Sequence, residues 1–179
     1  WSPDGKYVTV AELNRDQNHV HFNVFDALSG EFVKTLFEEE NDRYVEPEFP
    51  AYFIDDTQFI WLSERDGQTQ PFLYSLESGL VKKMAENPWE ITNIIGFNKG
   101  ELYVQGTGEN PTESHAFKIA QDGSIVQITK EVGTHSVTMA DNYNLFVDVY
   151  SSVTVPSVSQ FIDGNARVMR KLVVSKNPL

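Results

Sequence analysis

The sequence predicts an all-β chain, a partial β-propeller of about four blades built from four-stranded antiparallel sheets, with the first blade incomplete. Three observations carry that prediction. Apolar residues alternate with polar ones over short runs rich in Val, Ile, Phe and Tyr, the period of half-buried strands. Turn dipeptides punctuate the runs, with Asp-Gly at Asp4-Gly5, Asp66-Gly67, Asp122-Gly123 and Asp163-Gly164, and Ser-Gly at Ser29-Gly30 and Ser78-Gly79. The pattern also repeats: Phe59, Leu102 and Leu145 open equivalent strands at an even interval of roughly 40 residues, the length of a propeller blade.

In chain order, the first unit sets a strand from Tyr7 after the Asp4-Gly5 turn. A second strand, His19–Asp26, alternates Val20, Phe22 and Val24 with His21 and Asn23, and a third covers 32–36. Strands at 51–54, 59–62, 72–74 and 80–81 form the second unit. The third unit takes 91–97, 102–104, 116–119 and 125–126. The fourth takes 136–139, the turn Asp141-Asn142, 145–147, 158–162 and a last strand around Leu172. Blade boundaries then fall at 1–43, 44–87, 88–130 and 131–175. Trp1 stands where an innermost strand should be ending, so these residues are expected to be a piece of a longer protein. An open propeller leaves unpaired strand edges, and self-association through them is the expected consequence.

Composition narrows the function. The 179 residues are 40% hydrophobic and 12% aromatic, ordinary for a globular β protein. With 26 acidic against 14 basic residues the net charge is −12, which repels phosphate backbones, and no nucleic-acid partner is expected. No apolar run approaches the roughly 18 residues of a membrane span, and no charged start followed by an apolar stretch marks a signal peptide. The absence of cysteine removes disulfides and thiolate chemistry together and leaves the compartment open.

Candidate chemistry is sparse. His19 and His21 are two apart on one strand and share a face, but the sequence places no third ligand beside them, so neither a metal nor a cofactor is expected. Gly106-Thr107-Gly108-Glu109-Asn110-Pro111 imitates a dinucleotide fingerprint, yet Pro111 replaces its last glycine and no helix follows. His135 and Ser136 are adjacent on a strand and point to opposite faces, which rules them out as base and nucleophile; His135 reads instead as a blade-capping hydrogen-bond residue. Trp89 reads as blade packing. No G-x-S-x-G elbow occurs, so no catalytic residue is assigned and these residues alone are not expected to be an enzyme. The one departure from the repeat is the acidic stretch 38–48. It reads either as a solvated loop between blades or as a functional surface on a propeller rim, where a carboxylate holds an amine and Tyr44 packs on a substrate side chain.

The segments W-S-P-D-G-K-Y (1–7), F-I-W-L-S-E-R-D-G (59–67), L-Y-S-L-E-S-G (73–79), P-W-E-I-T-N-I-I-G-F (88–97) and G-T-H-S-V (133–137) resemble, in order and spacing, the propeller of the dipeptidyl peptidase IV family. The resemblance spans essentially the whole chain and corresponds to the C-terminal half of that propeller. It implies a parent serine peptidase that releases N-terminal X-Pro or X-Ala dipeptides, with an α/β-hydrolase domain following residue 179. In that division of labour the propeller gates the cavity and orients the peptide substrate. The family's amine-holding glutamate pair precedes the W-S-P-D-G segment, so Glu38-Glu39 does not take that role. Arg43, Tyr44 and Glu46 occupy the region where relatives present an aromatic to the substrate, and they are the substrate-facing candidates. The resemblance also implies a periplasmic or exported parent. The alternative is a free-standing interaction propeller that docks a protein or a glycan. The P-W-E and S-E-R-D-G segments set the chain apart from acylaminoacyl and prolyl oligopeptidase types.

Overall fold

The computed structural model describes residues 1–140 and 145–176, and every regular element among them is a β-strand. The expected turn Asp141-Asn142 and the tail Asn177-Pro178-Leu179 lie outside the described residues. The chain divides into two compact units, Trp1–Met84 and Ala85–Leu179. Four antiparallel meanders make up these units, the first of three strands and the others of four, as a partial propeller with an incomplete first blade requires.

The first unit carries β1 (Tyr7–Leu13), β2 (His19–Asp26) and β3 (Phe32–Glu40) in one sheet. Its second sheet is β4 (Tyr52–Phe53), β5 (Gln58–Ser63), β6 (Gln70–Ser75) and β7 (Gly79–Lys83). Alternation on β2 turns Val20, Phe22 and Val24 inward, and Phe22 and Val24 meet Phe59, Trp61, Phe72 and Tyr74 from the second sheet. Ring contacts dominate this core: Phe37 stacks on Tyr74 at 4.2 Å and on Phe22 at 4.8 Å. Such pairs add about 0.5–1.5 kcal/mol each beyond the area they bury. The Asp66-Gly67 turn closes as expected, with Gly67 at φ 98° and its N–H donating to Glu64 O at 2.8 Å.

The second unit carries β8 (Ile91–Asn98), β9 (Glu101–Gly106), β10 (His115–Ile119) and β11 (Ile125–Gln127) in one sheet. Its other sheet is β12 (Thr134–Met139), β13 (Leu145–Ser151), β14 (Val158–Asp163) and β15 (Val168–Val174). Tyr103, Ala116 and Ile128 pack on Val137, Phe146 and Ile162. A parallel bridge between Ser114 and Thr134 ties the two sheets at one end, where His135 N–H donates to Ser114 O at 2.9 Å. Gly133 beside this bridge sits at φ 145°, and a Cβ there would stand 2.3 Å from Ser151 O. Only glycine fits that backbone.

The strands cover the stretches that alternation predicts, with one extension that matters for function. β3 runs on from 36 to Glu40, because register shifts against β2 between Phe22 and Asn23 and between Val24 and Phe25 absorb extra residues and turn Phe37 and then Glu39 inward. The first three glutamates of the acidic stretch therefore belong to a strand and not to a loop.

Candidate functional site

Glu39 is the pivot of the site, a carboxylate only 9% exposed opposite Val20 on β2. Burial of a charge needs compensation, and three side chains from the next sheet supply it. Trp61 Nε1 donates to Glu39 Oε1 at 2.9 Å, Ser63 Oγ donates to Oε2 at 2.8 Å, and Arg65 Nη2 donates to Oε1. Trp61 and Ser63 share one face of β5, and Arg65 follows in the hairpin turn, which is how the S-E-R-D-G segment brings three donors to one carboxylate. The arginine is held twice more. Its Nε donates to Ser63 Oγ at 3.0 Å, and its Cζ lies 4.3 Å from the centre of the Phe72 ring. Burial pushes the neighbouring Tyr74 phenol upward, partly offset by the Arg65 charge.

The acidic loop closes over this pair. Its backbone is pinned to the β1–β2 hairpin: Asn41 N–H donates to Asn18 O at 3.0 Å and Val45 N–H to Gln17 O at 2.8 Å. Between loop and hairpin turn opens a cavity of about 280 Å³ whose walls include Glu39, Arg65, Arg43, Tyr44 and Glu46. Arg43, Tyr44 and Glu46 thus share one cavity, and Tyr44 stays 54% exposed. Tyr44 and Glu46 also border a second depression beside Leu13 and Pro47. Glu39 and Arg65 are the members that sequence reasoning passed over. The available signal was the alternation of β3, which carries the inward face from Phe37 to Glu39 and so places an acid where a cation must answer it.

The remaining candidates sit elsewhere. Trp89 stacks on Phe117 at 4.1 Å and crowds Gly106, the packing role expected of it, while the same rings border a cavity of about 490 Å³ in the second unit. On that cavity's wall His115 bonds Glu113 at 2.8 Å, and this contact, with one from Asn110, draws the Glu113 carboxyl below the usual range. His135 and Ser136 point to opposite faces, His135 buried and Ser136 exposed. His135 Nε2 donates to Glu131 O at 2.7 Å, Nδ1 meets Asp148 Oδ1 at 2.8 Å, and the ring stacks on Tyr150. Gln160 Nε2 completes the group by donating to Asp148 Oδ2 at 2.9 Å. His19 and His21 lie on the same face of β2, as their spacing requires.

Comparison with known proteins bears on the family and the fold. Residues 1–157 match the dipeptidyl peptidase IV (DPP IV) N-terminal region. A protein of Aspergillus oryzae described as a dipeptidyl-aminopeptidase B is 24% identical over 196 residues, covering 99% of this chain and 22% of its own length. A Coccidioides posadasii protein of the same description is 22% identical over 174 residues, covering 87% of this chain and 19% of its own. The chain therefore spans about a fifth of the length of these curated relatives. The solved structure of a Bacteroides ovatus protein described as a dipeptidyl aminopeptidase IV superposes with TM-score 0.90 at 27% identity, over 99% of this chain and 29% of that one. Dipeptidyl peptidase 4 of Porphyromonas gingivalis shares the fold, with TM-score 0.85 at 24% identity over 94% of this chain and 24% of that one. Among the described residues no helix is long and apolar enough to cross a membrane.

Proposed function

The chain belongs to the family of the dipeptidyl peptidase IV N-terminal region, and from that premise we propose that it is the non-catalytic segment that gates and orients peptide substrates for a hydrolase domain elsewhere in its parent. The observation that carries this reading is the cavity of the first unit, in which Arg43, Tyr44 and Glu46 stand around a Glu39–Arg65 pair fixed by Trp61, Ser63 and Phe72. A substrate-facing wall works when its members are held by neighbours rather than by the substrate, because binding then costs little ordering. The loop meets that condition through its backbone bonds to the hairpin.

In this reading Tyr44 supplies an apolar face to a substrate side chain, Glu46 an acceptor for peptide N–H or amine groups, and Arg43 a donor for peptide carbonyls. The parent releases X-Pro or X-Ala dipeptides with a nucleophile carried outside these residues. Fluorophosphonate labelling tests the division: the full-length protein labels and residues 1–179 do not. In the unlabelled, active full-length enzyme, Tyr44→Ala and Glu46→Gln should each raise KM for an X-Pro chromogenic dipeptide, with kcat changed less. Kinetics identical to wild type in both variants would remove the loop from the substrate path. Self-association rests on a separate observation. The edge strand β15 leaves Met169, Val173 and Val174 more than half exposed, so we propose that it pairs with a second copy, which sedimentation of the purified chain checks.

A further inference from the structure

The first sheet holds a group of side chains that the proposed substrate cavity does not use. His19 and His21 project from one face of β2, and the register of β3 sets Glu38 directly opposite His21. The Glu38 carboxylate reaches both rings, with Oε2 2.9 Å from His19 Nε2 and Oε1 3.6 Å from His21 Nδ1. One nitrogen from each ring and one carboxylate oxygen all lie within 4.8 Å of one another. The ring centroids are 4.3 Å apart, so the imidazoles stand side by side, each with a nitrogen turned to the same carboxylate.

We propose that His19, His21 and Glu38 bind a divalent transition-metal ion, with Zn²⁺ the best match. Tetrahedral zinc takes nitrogen and oxygen at about 2.0–2.2 Å, which spaces its donors roughly 3.3–3.5 Å apart, and the three atoms here, within 4.8 Å of one another, need close by no more than about 1.5 Å to reach that triangle. Two imidazoles and one carboxylate leave a fourth position for water, the open arrangement of a three-ligand site. Two nitrogen donors argue against Mg²⁺ and Ca²⁺, which take oxygen ligands, and for the Zn²⁺ end of the first-row series. The frame is rigid where it needs to be. Asn14 Oδ1 accepts from the His19 N–H at 3.1 Å and from the Asn18 N–H at 3.0 Å, fixing the hairpin that launches β2. Glu12, in register with His21 on β1, is engaged by Asn23 Nδ2 at 3.0 Å, which leaves Glu38 as the carboxylate at the pair. Glu40, opposite His19, and the net charge of −12 add a negative field that draws dications. An ion here would staple β2 to β3 beside the acidic loop.

Isothermal titration of the purified protein with Zn²⁺ tests the site, alongside His21→Ala, His19→Ala and Glu38→Gln. The expected result is one saturable ion per chain, with affinity falling roughly tenfold or more in each variant, and a Zn²⁺-dependent rise in melting temperature that the variants lose. Co²⁺ provides a second readout, since a tetrahedral histidine site gives intense visible bands that His21→Ala should weaken. His21→Asn keeps much of the shape of the side chain and replaces His21→Ala if circular dichroism shows the latter unfolded. The proposal is overturned if no saturable binding occurs, if the variants bind as wild type does, or if Mg²⁺ competes on equal terms, which would mean scattered surface carboxylates.

Discussion

Glu39 in the first unit and Asp148 in the second are both buried carboxylates on strands, but one lines a cavity and the other is held by two side chains that are themselves buried. Asp148 is fully inaccessible; His135 and Gln160 take up its oxygens, and His135 in turn is anchored by a backbone carbonyl. Both partners lie within the unit and are themselves buried. Glu39 is held as firmly, by an indole, a hydroxyl and a guanidinium, yet its arginine forms part of a cavity wall. The difference teaches how to read a buried charge in this fold. A charge satisfied entirely by buried neighbours specifies packing, whereas one satisfied by a group on a cavity wall also positions that wall.

The comparison breaks first at Asp148. Asp148→Ala should leave His135 and Gln160 buried without their shared partner and cost about 3–5 kcal/mol, read as a lower urea midpoint, with no change that is specific to substrate. Gly133→Ala, two residues before His135, should cost about 1–3 kcal/mol through backbone strain and the clash with Ser151 O. Arg65→Ala should cost less than Asp148→Ala, about 1–3 kcal/mol, because water entering the cavity solvates the carboxylate that is left. Arg65→Lys sharpens the point: it keeps the charge but loses the planar fork and the Phe72 stack, so it should recover only part of the stability. Equal losses at Asp148 and Arg65 would erase the distinction between the sealed group and the open one.

The same pair shows how far the sequence was legible. The His19–Asp26 strand was readable to the residue, since Val20, Phe22 and Val24 alternate with His21 and Asn23 and turn to the core. The blade repeat was readable because Phe59, Leu102 and Leu145 open equivalent strands at an even interval of roughly 40 residues, with turn dipeptides between the strands. The extent of β3 was not: three consecutive glutamates look solvated, and the alternation that carries the inward face from Phe37 to Glu39 shows only once the strand is known to continue past Leu36. Glu39 needs Arg65, which arrives from another strand's hairpin, and no local pattern announces that meeting. The third donor beside His19 and His21 is hidden for the same reason, since a run of glutamates at 38–40 has the pattern of a loop. Arg43, Tyr44 and Glu46 were named from resemblance, and their common cavity follows from backbone bonds to a hairpin that lies far off in sequence.

A third carboxylate, nearer the surface, extends the comparison to its weakest case. Glu101 Oε1 accepts from Lys118 Nζ at 3.0 Å and Oε2 from the Tyr103 hydroxyl at 2.8 Å. The Lys118 contact, with help from Tyr103, holds its carboxyl below the ordinary 4.5, and burial together with Glu101 pushes the Tyr103 phenol up. A carboxyl lowered in the folded state binds its proton less readily there than in the unfolded chain. Its stabilising effect is therefore complete above the ordinary value and fades as pH falls below about 4.5. Solvent screens the pair, so the effect should stay under about 1 kcal/mol and shrink further in high salt. Urea titrations of wild type and Glu101→Gln should differ by that small amount at neutral pH and converge in acid. A difference that persists at low pH and in salt would assign Glu101 to packing and not to charge, and would set it beside Asp148 instead of at the opposite end of the series.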